Sequence, residues 1–174
     1  MTIRTCLCLL TRPAANGQAA ATAAAAGTEV LLGFKKTGFG AGRWVGLGGH
    51  IEEGEEPAAA AVREVEEESG LVVAATALTH VARLRFVFPH RPAWDQTADV
   101  YTATEFGGVA AESDELVPRW FPASALPFDG MWDDARYWLP LVLAGQRVTA
   151  TISFAADNAT VGTIEPDLRA AAGA

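Results

Sequence analysis

The feature that most constrains this chain is a glycine-rich loop that leads into a strongly acidic helix, within residues 49–71. Pro57 suits the first turn of a helix, because its missing N–H would have no partner there. Gly70 is the residue type at which helices commonly end. Three carboxylates of this predicted helix have the spacing i, i+3 and i+4 and therefore share one face: Glu64, Glu67 and Glu68.

This cluster of like charges is unfavourable unless a positive charge lies nearby. At roughly 6 Å and an effective dielectric constant of about 20, each pair of carboxylates costs about 3 kcal/mol. A divalent cation would reverse the sign of the interaction, and carboxylate oxygens are the hard ligands that Mg²⁺ and Mn²⁺ prefer. Taken by itself, the helix could equally present a solvated acidic face. The residues around the helix distinguish this interpretation from a metal site.

The residues around the acidic helix follow a long, gapped pattern. Its fixed positions in this chain are Gly49, Glu55, Arg63, Glu64, Val65, Glu67, Glu68, Gly70 and Leu71. The pattern resembles the Nudix box, and the chain is most similar to the MutT-like, oxidised-nucleotide branch of that hydrolase family. The resemblance implies an α/β fold, the Nudix α/β/α sandwich with a mixed central sheet.

The resemblance also implies a role for each acidic residue of the box. Glu64, Glu67 and Glu68 would bind Mg²⁺, or Mn²⁺ in its place, together with the backbone carbonyl of Gly48. The catalytic base would be Glu67 or a carboxylate from a distant loop. Glu115 is the distant candidate, both as base and as metal ligand, and a surface acid without a role is the alternative for it.

Arg63 and Glu55 have a different implied role in the box. The family's arginine pairs with the first glutamate of the box and orients the catalytic glutamates. We therefore expect loss of Arg63 to loosen the site without removing a ligand.

A wider resemblance, over residues 30–143, is to the eukaryotic-type oxidised-purine triphosphatases, which include 8-oxo-dGTP diphosphatases. It rests on two stretches, residues 32–44 and residues 128–140. Carried over, Trp132 would stack on the purine and Asp134 would accept hydrogen bonds from its edge. Further residues are expected to contact the substrate: Lys35 at the phosphates, with Lys36 and Arg43 as weaker candidates, and Thr5, Phe39 and Val45 in the base pocket.

Two positions depart from the pattern of the oxidised-purine enzymes. Their second aspartate is replaced by Ala135, with Asp133 as a substitute at a different angle, and their base-contacting asparagine is replaced by Val45. Each lost hydrogen bond is worth about 1–3 kcal/mol of discrimination. The leading hypothesis is a Mg²⁺-dependent pyrophosphohydrolase of oxidised purine nucleoside triphosphates. The alternatives are another Nudix substrate, such as ADP-ribose, a dinucleoside polyphosphate or ordinary dNTPs, and a non-catalytic nucleotide sensor.

Composition limits the other partners of this 174-residue chain. A net charge of −8 argues against binding to polymeric nucleic acid, which needs a basic surface. Without an apolar run of transmembrane length, no membrane contact is expected. Cys6 and Cys8, two apart on a predicted strand, indicate a reduced, cytoplasmic protein. We expect one domain at residues 1–165 with a flexible loop at 12–27, a disordered tail at 166–174, and a monomer or homodimer.

Apolar patterning gives the remaining secondary structure. Strands are predicted at residues 3–10, 29–34, 71–73, 79–88, 99–106, 119–121 and 148–154, and a second helix at residues 131–144. The glycines of residues 44–51 are too many for the interior of an ordinary strand, and they predict that another group approaches the backbone closely there.

Overall fold

The computed structural model describes residues 3–14 and 27–168. Most of the predicted loop at 12–27 and of the predicted tail at 166–174 therefore lies outside the described residues. None of the helices in the two described stretches has the length and apolar character that a bilayer crossing requires.

Eight strands and two α-helices make up the described fold. Their bounds are β1 Ile3–Pro13, β2 Thr28–Lys35, β3 Trp44–Val45, α1 Pro57–Ser69, β4 Thr79–Val87, β5 Gln96–Ala103, β6 Leu116–Pro122, α2 Ala135–Leu143, β7 Val148–Phe154 and β8 Val161–Glu165. Short 3₁₀ turns lie at Ala75–Ala77, Pro92–Trp94 and Phe128–Gly130.

The strands form one mixed sheet in the order β3–β2–β1–β5–β4–β7–β8, and β6 pairs with β2. β1 runs parallel to β5 over most of its length and antiparallel to β2 only at its last three residues. The rest of that edge of β1 is met by the glycine-rich segment, through single bridges from Cys8 to Leu47 and from Thr5 to His50. The sheet is therefore parted between β1 and β2, with the glycine-rich segment in the gap.

The two helices lie on opposite faces of the sheet, and the side chains of β1 alternate between the two cores that the helices cover. Cys6, Cys8 and Leu10 pack in the core under α1, whereas Leu9 packs in the core that includes α2. From α1 the buried residues are Ala60, Ala61, Val65, Glu68 and Ser69. This arrangement confirms the predicted α/β/α sandwich with a mixed sheet.

Most of the predicted elements are confirmed, with several corrections. Residues 71–73 form only one bridge, from Val72 to Gly107, and not a strand. β5 begins and ends three residues earlier than predicted, and α2 begins only at Ala135 because a 3₁₀ turn and two more turn residues precede it. β8 was not predicted, since its short Val161–Glu165 sequence has little apolar character of its own. The helix of the box ends at Ser69 as predicted, with Gly70 in the left-handed conformation.

Candidate active site

The glycine-rich segment brings the backbone against both β1 and the carboxylates of α1. At Gly48, with φ near 150°, a Cβ atom would lie 2.1 Å from the carbonyl oxygen of Cys6. At Gly49 a Cβ atom would lie 2.6 Å from a carboxylate oxygen of Glu64. The N–H of Gly48 donates to Glu68 over 2.8 Å. The predicted close approach is therefore confirmed, and only glycine leaves room for it.

Arg63 joins the glycine-rich segment to the acidic face of α1. Its guanidinium donates to both carboxylate oxygens of Glu55, each over 3.0 Å, and to the carbonyl of His50 over 3.0 Å. Its Nη1 also donates to Glu64 over 2.8 Å and to Glu67 over 3.2 Å. These bonds raise the pKa of Arg63, and the same pairing lowers the pKa of Glu55. Arg63 thus pairs with Glu55 and contacts two of the helix carboxylates, as expected of a residue that orients them.

Glu68 is a buried carboxylate that lies between the glycine-rich segment and Lys35. Its side chain is 4% exposed, and burial raises its pKa to about 7. The N–H of Gly48 and the ammonium of Lys35, whose Nζ is 3.4 Å away, favour the charged form and oppose that shift. The same Nζ lies 3.6 Å from the carboxylate of Glu115. Lys35 therefore bridges one acid of α1 and Glu115, the predicted acid of a distant loop.

The helix carboxylates and the loop before β6 enclose one concave surface, which we call the acidic groove. It is lined by Lys36, Glu64, Glu67, Glu68, Glu112, Ser113, Asp114 and Glu115. The groove brings together all four predicted acidic ligands. Glu67 is the most accessible of the three on the helix, with 60% of its side chain exposed.

A second cavity of about 540 Å³, which we call the apolar pocket, lies on the other face of the parted sheet. All six predicted substrate-binding residues line it: Thr5, Lys35, Phe39, Val45, Trp132 and Asp134. Gly48 and Glu115 line it too, and Glu115 also lines the acidic groove. The groove and the pocket therefore meet at Glu115, and Lys35 of the pocket contacts both Glu115 and Glu68 of the groove.

The indole of Trp132 is engaged by side chains of the β2–β3 loop. The ring of Phe39 is stacked on it with centroids 5.1 Å apart and an interplanar angle of 17°. The guanidinium of Arg43 lies 4.4 Å from the centroid of the same indole and donates to the carbonyl of Met131 over 3.2 Å. Arg43 therefore supports the indole of Trp132, and these contacts disfavour its predicted alternative role at the phosphates.

Of the two adjacent aspartates, only Asp134 lines the apolar pocket. Its carboxylate accepts from the indole N–H of Trp138 over 2.7 Å, and burial raises its pKa to about 6. The carboxylate of Asp133 instead accepts from the N–H of Val161 over 2.8 Å and pairs with Arg136 over 3.0 Å. The suggestion that Asp133 substitutes for the missing second aspartate is therefore wrong, because its oxygens are committed to β8 and α2.

Six aromatic residues that line the pocket were not predicted as site residues, and three of them pack closely against one another or against Phe39. Phe88 and Phe154 are stacked with centroids 4.4 Å apart, and Trp94 meets the ring of Phe39 edge-on at 5.2 Å. All three line the pocket. They come from separate segments of the chain, so their convergence has no signal in the local sequence.

The donor set of the acidic groove suits a hard divalent cation, because it consists of carboxylate oxygens. Within residues 3–14 and 27–168, no three His, Cys, Asp or Glu side chains converge closely enough to hold a metal ion as they stand. The oxygens are turned to the protein's own cations: Glu64 to Arg63, and Glu68 to Lys35. The position of the Lys35 ammonium between Glu68 and Glu115 indicates that a positive charge is favoured there.

Comparisons with known proteins agree with this geometry. Residues 17–142 match the family model described as NUDIX domain. The oxidized purine nucleoside triphosphate hydrolase of Mus musculus is 41% identical over 72% of this chain and 79% of its own length, and that of Danio rerio is 40% identical over the same shares. Among solved structures, the mutator MutT protein from Bacillus halodurans is similar with a TM-score of 0.72, at 20% identity, over 95% of this chain and 99% of that one.

Proposed function

The chain belongs to the NUDIX family, and from that premise we propose that it hydrolyses oxidised purine nucleoside triphosphates to the monophosphate and pyrophosphate. The two relatives at 40–41% identity carry that activity in their names, over most of this chain. The observation that carries the proposal is that Glu115 lines both the acidic groove and the apolar pocket, with Lys35 of the pocket paired to it. A nucleotide needs both, one for its phosphates and one for its base.

We assign the acidic groove to the metal and the phosphates. Glu64, Glu67, Glu68 and Glu115, with the carbonyl of Gly48, are the residues that would hold Mg²⁺, for which Mn²⁺ could substitute. The metal would neutralise phosphate charge and lower the pKa of a water molecule. A triphosphate alone would be repelled by these four carboxylates, so the negative groove is consistent with a substrate that arrives with its cation.

Within the groove each side chain has a distinct task. Glu67 accepts the proton of the attacking water, because it is the most exposed of the helix acids, and Glu115 is the alternative base. Water adds across one anhydride bond, and the pyrophosphate leaves. The ammonium of Lys35, which pairs with Glu68 without substrate, binds a phosphate oxygen when the substrate is present. Arg63 keeps Glu64 and Glu67 in place.

We assign the apolar pocket to the purine. Its volume of about 540 Å³ lies within the usual range for small-molecule sites. Trp132 stacks on the base, and Asp134 hydrogen-bonds to its edge. Thr5, Phe39 and Val45 complete the walls.

A second candidate function is hydrolysis of a different nucleoside diphosphate derivative, such as ADP-ribose, a dinucleoside polyphosphate or an ordinary dNTP. Val45 and Ala135 favour it, because both line the pocket with apolar side chains where the oxidised-purine enzymes carry polar ones. With Asp133 turned away, Asp134 is the carboxylate of this pair that remains for the base. Fewer polar contacts predict weaker discrimination between oxidised and ordinary purines.

One turnover panel tests both candidates. Purified protein with Mg²⁺ is given 8-oxo-dGTP, dGTP, 2-oxo-dATP, ADP-ribose and diadenosine polyphosphates, and kcat/KM is measured for each. The proposal expects the oxidised triphosphates to be preferred, with pyrophosphate as product. Preference for ADP-ribose or a dinucleoside polyphosphate would support the second candidate, and turnover of none would reject both.

The free, buried thiols of Cys6 and Cys8 are consistent with a reduced, cytoplasmic setting, which we propose as well.

A further inference from the structure

Lys36 holds the loop that carries Glu115 by three hydrogen bonds. Its Nζ pairs with the carboxylate of Glu112 and donates to the carbonyl of Ser113 over 2.7 Å. Its backbone N–H donates to the carbonyl of Glu115 over 2.8 Å. One residue directly after β2 thus contacts three of the four residues that precede β6.

Near Glu115 the loop is also held by β6, which begins at the buried Leu116 and pairs with β2. Ser113 folds back on Leu116, through a backbone bond of 3.0 Å and a side-chain bond of 3.2 Å. The carboxylate of Glu115 is 62% exposed, and its ion pair is with Lys35 at 3.6 Å. Its position over the acidic groove therefore depends on how firmly the backbone of residues 112–115 is held.

Lys35 and Lys36 are adjacent, yet their ammonium groups have separate partners. Lys35 reaches Glu68 and Glu115 inside the site, whereas Lys36 reaches Glu112 and Ser113 at the rim of the groove. This dipeptide thus anchors both the side chain and the backbone of Glu115 to the end of β2.

We propose that Lys36 is a positioning residue that holds Glu115 opposite the carboxylates of α1, and that it acts on the reaction only through Glu115. The proposal rests on the proposed function for the role of Glu115 in the groove. It gives Lys36 a task other than the phosphate contact that the sequence left open for it, because its Nζ is bonded to the loop.

The test is a double-mutant cycle with two readouts: the dissociation constant of Mn²⁺ alone, from the paramagnetic signal of the free ion, and kcat at saturating substrate. K36M keeps the length of the side chain and removes its charge. We expect it to weaken Mn²⁺ binding and lower kcat by about fivefold each, with KM nearly unchanged. K36R should restore most of both, because a guanidinium can still reach the carboxylate and the carbonyl.

The decisive comparison uses E115Q as the background. If Lys36 acts through Glu115, K36M will add nothing to E115Q in either readout. An equal loss in both backgrounds, or no loss in the wild type, overturns the proposal. R147Q is the matched control for charge, since Arg147 is exposed and lies in the loop before β7, and we expect it to change neither readout.

Two further measurements keep the outcomes distinct. E112Q removes the partner of Lys36 instead of Lys36 itself, and it should reproduce part of the K36M effect without a fall in unfolding temperature. If the wild type hydrolyses none of the substrate panel, the proposed function fails, while the Mn²⁺ cycle still supports or overturns the role of Lys36.

Discussion

The phenyl ring of Phe39 lies stacked on the indole of Trp132, with ring centroids 5.1 Å apart. A flat base needs a separation of about 7 Å to lie between two rings, twice the usual stacking distance of about 3.5 Å. A purine that stacks on this face of Trp132 must therefore move Phe39 first. Phe39 is accessible enough to move, since it is 40% exposed and lies in the loop between β2 and β3.

Replacing Phe39 with alanine should therefore speed up entry of the base. The aromatic contact it removes is worth about 0.5–1.5 kcal/mol, so we expect the association rate of 8-oxo-dGMP to rise by about two- to tenfold. Stopped-flow tryptophan fluorescence measures it. F39Y keeps the ring and should leave the rate unchanged. A slower or equal rate in F39A would mean that Phe39 does not cover the stacking face.

Replacing Trp132 with alanine should raise KM for purine triphosphates by about tenfold or more, because stacking of a base on an aromatic ring is worth about 1–3 kcal/mol. The effect on kcat should be smaller, since the reacting phosphates lie in the acidic groove. W132F, which keeps an aromatic face, should recover most of the affinity. If KM stays the same while the unfolding temperature falls, Trp132 serves packing alone.

Replacing Glu67 with glutamine should lower kcat by about 100-fold or more, the usual contribution of a general base. The fold should survive, because the side chain is 60% exposed and its ion pair with Arg63 is an exposed one. The matched control is E66Q, which removes a neighbouring exposed carboxylate of α1. Near-normal turnover of E67Q would assign the base to Glu115 instead.

Replacing Arg63 with lysine tests whether the forked guanidinium, and not its charge, organises the box. A lysine cannot reach Glu55, Glu64 and the carbonyl of His50 together, so we expect stability to fall by about 1–3 kcal/mol in urea denaturation. We also expect kcat to fall by about tenfold or more as the carboxylates lose their alignment. Unchanged kcat with reduced stability would limit Arg63 to supporting the loop.

The burial of Asp134 predicts a pH-dependent loss of stability. Its pKa rises from 3.8 to about 6 in the folded protein, so between these values the folded state keeps a proton that the unfolded state has lost. The contribution of Asp134 to stability is therefore fully present below about pH 4 and is lost as pH rises towards 7, a loss of about 3 kcal/mol.

The measurement is the difference in unfolding free energy between the wild type and D134N, from pH 4 to pH 7. The asparagine does not titrate in this range, so other groups such as Glu68 cancel in the difference. The wild type should lose stability relative to D134N as pH increases. A difference that is constant with pH would show that Asp134 is ionised throughout.

The sequence by itself determined the helix of the box and the common face of its acidic residues. Pro57 and Gly70 mark its ends, and both act through neighbouring backbone groups. The spacing of Glu64, Glu67 and Glu68 fixes their common face for the same reason, since helical periodicity is a local property. The resemblance to known enzymes extended this to Trp132 and Asp134, which do line one pocket with Val45.

Only the tertiary structure decided which distant side chains contact one another around the site. Phe39 meets Trp132, and Lys36 meets Glu112, across long stretches of chain, because strand register and loop course bring them together. The commitment of Asp133 to Val161 likewise required β8, a strand without a clear pattern of its own. Contacts between distant residues depend on the whole packed sheet, whereas the spacing of acids on one helix depends only on the helix.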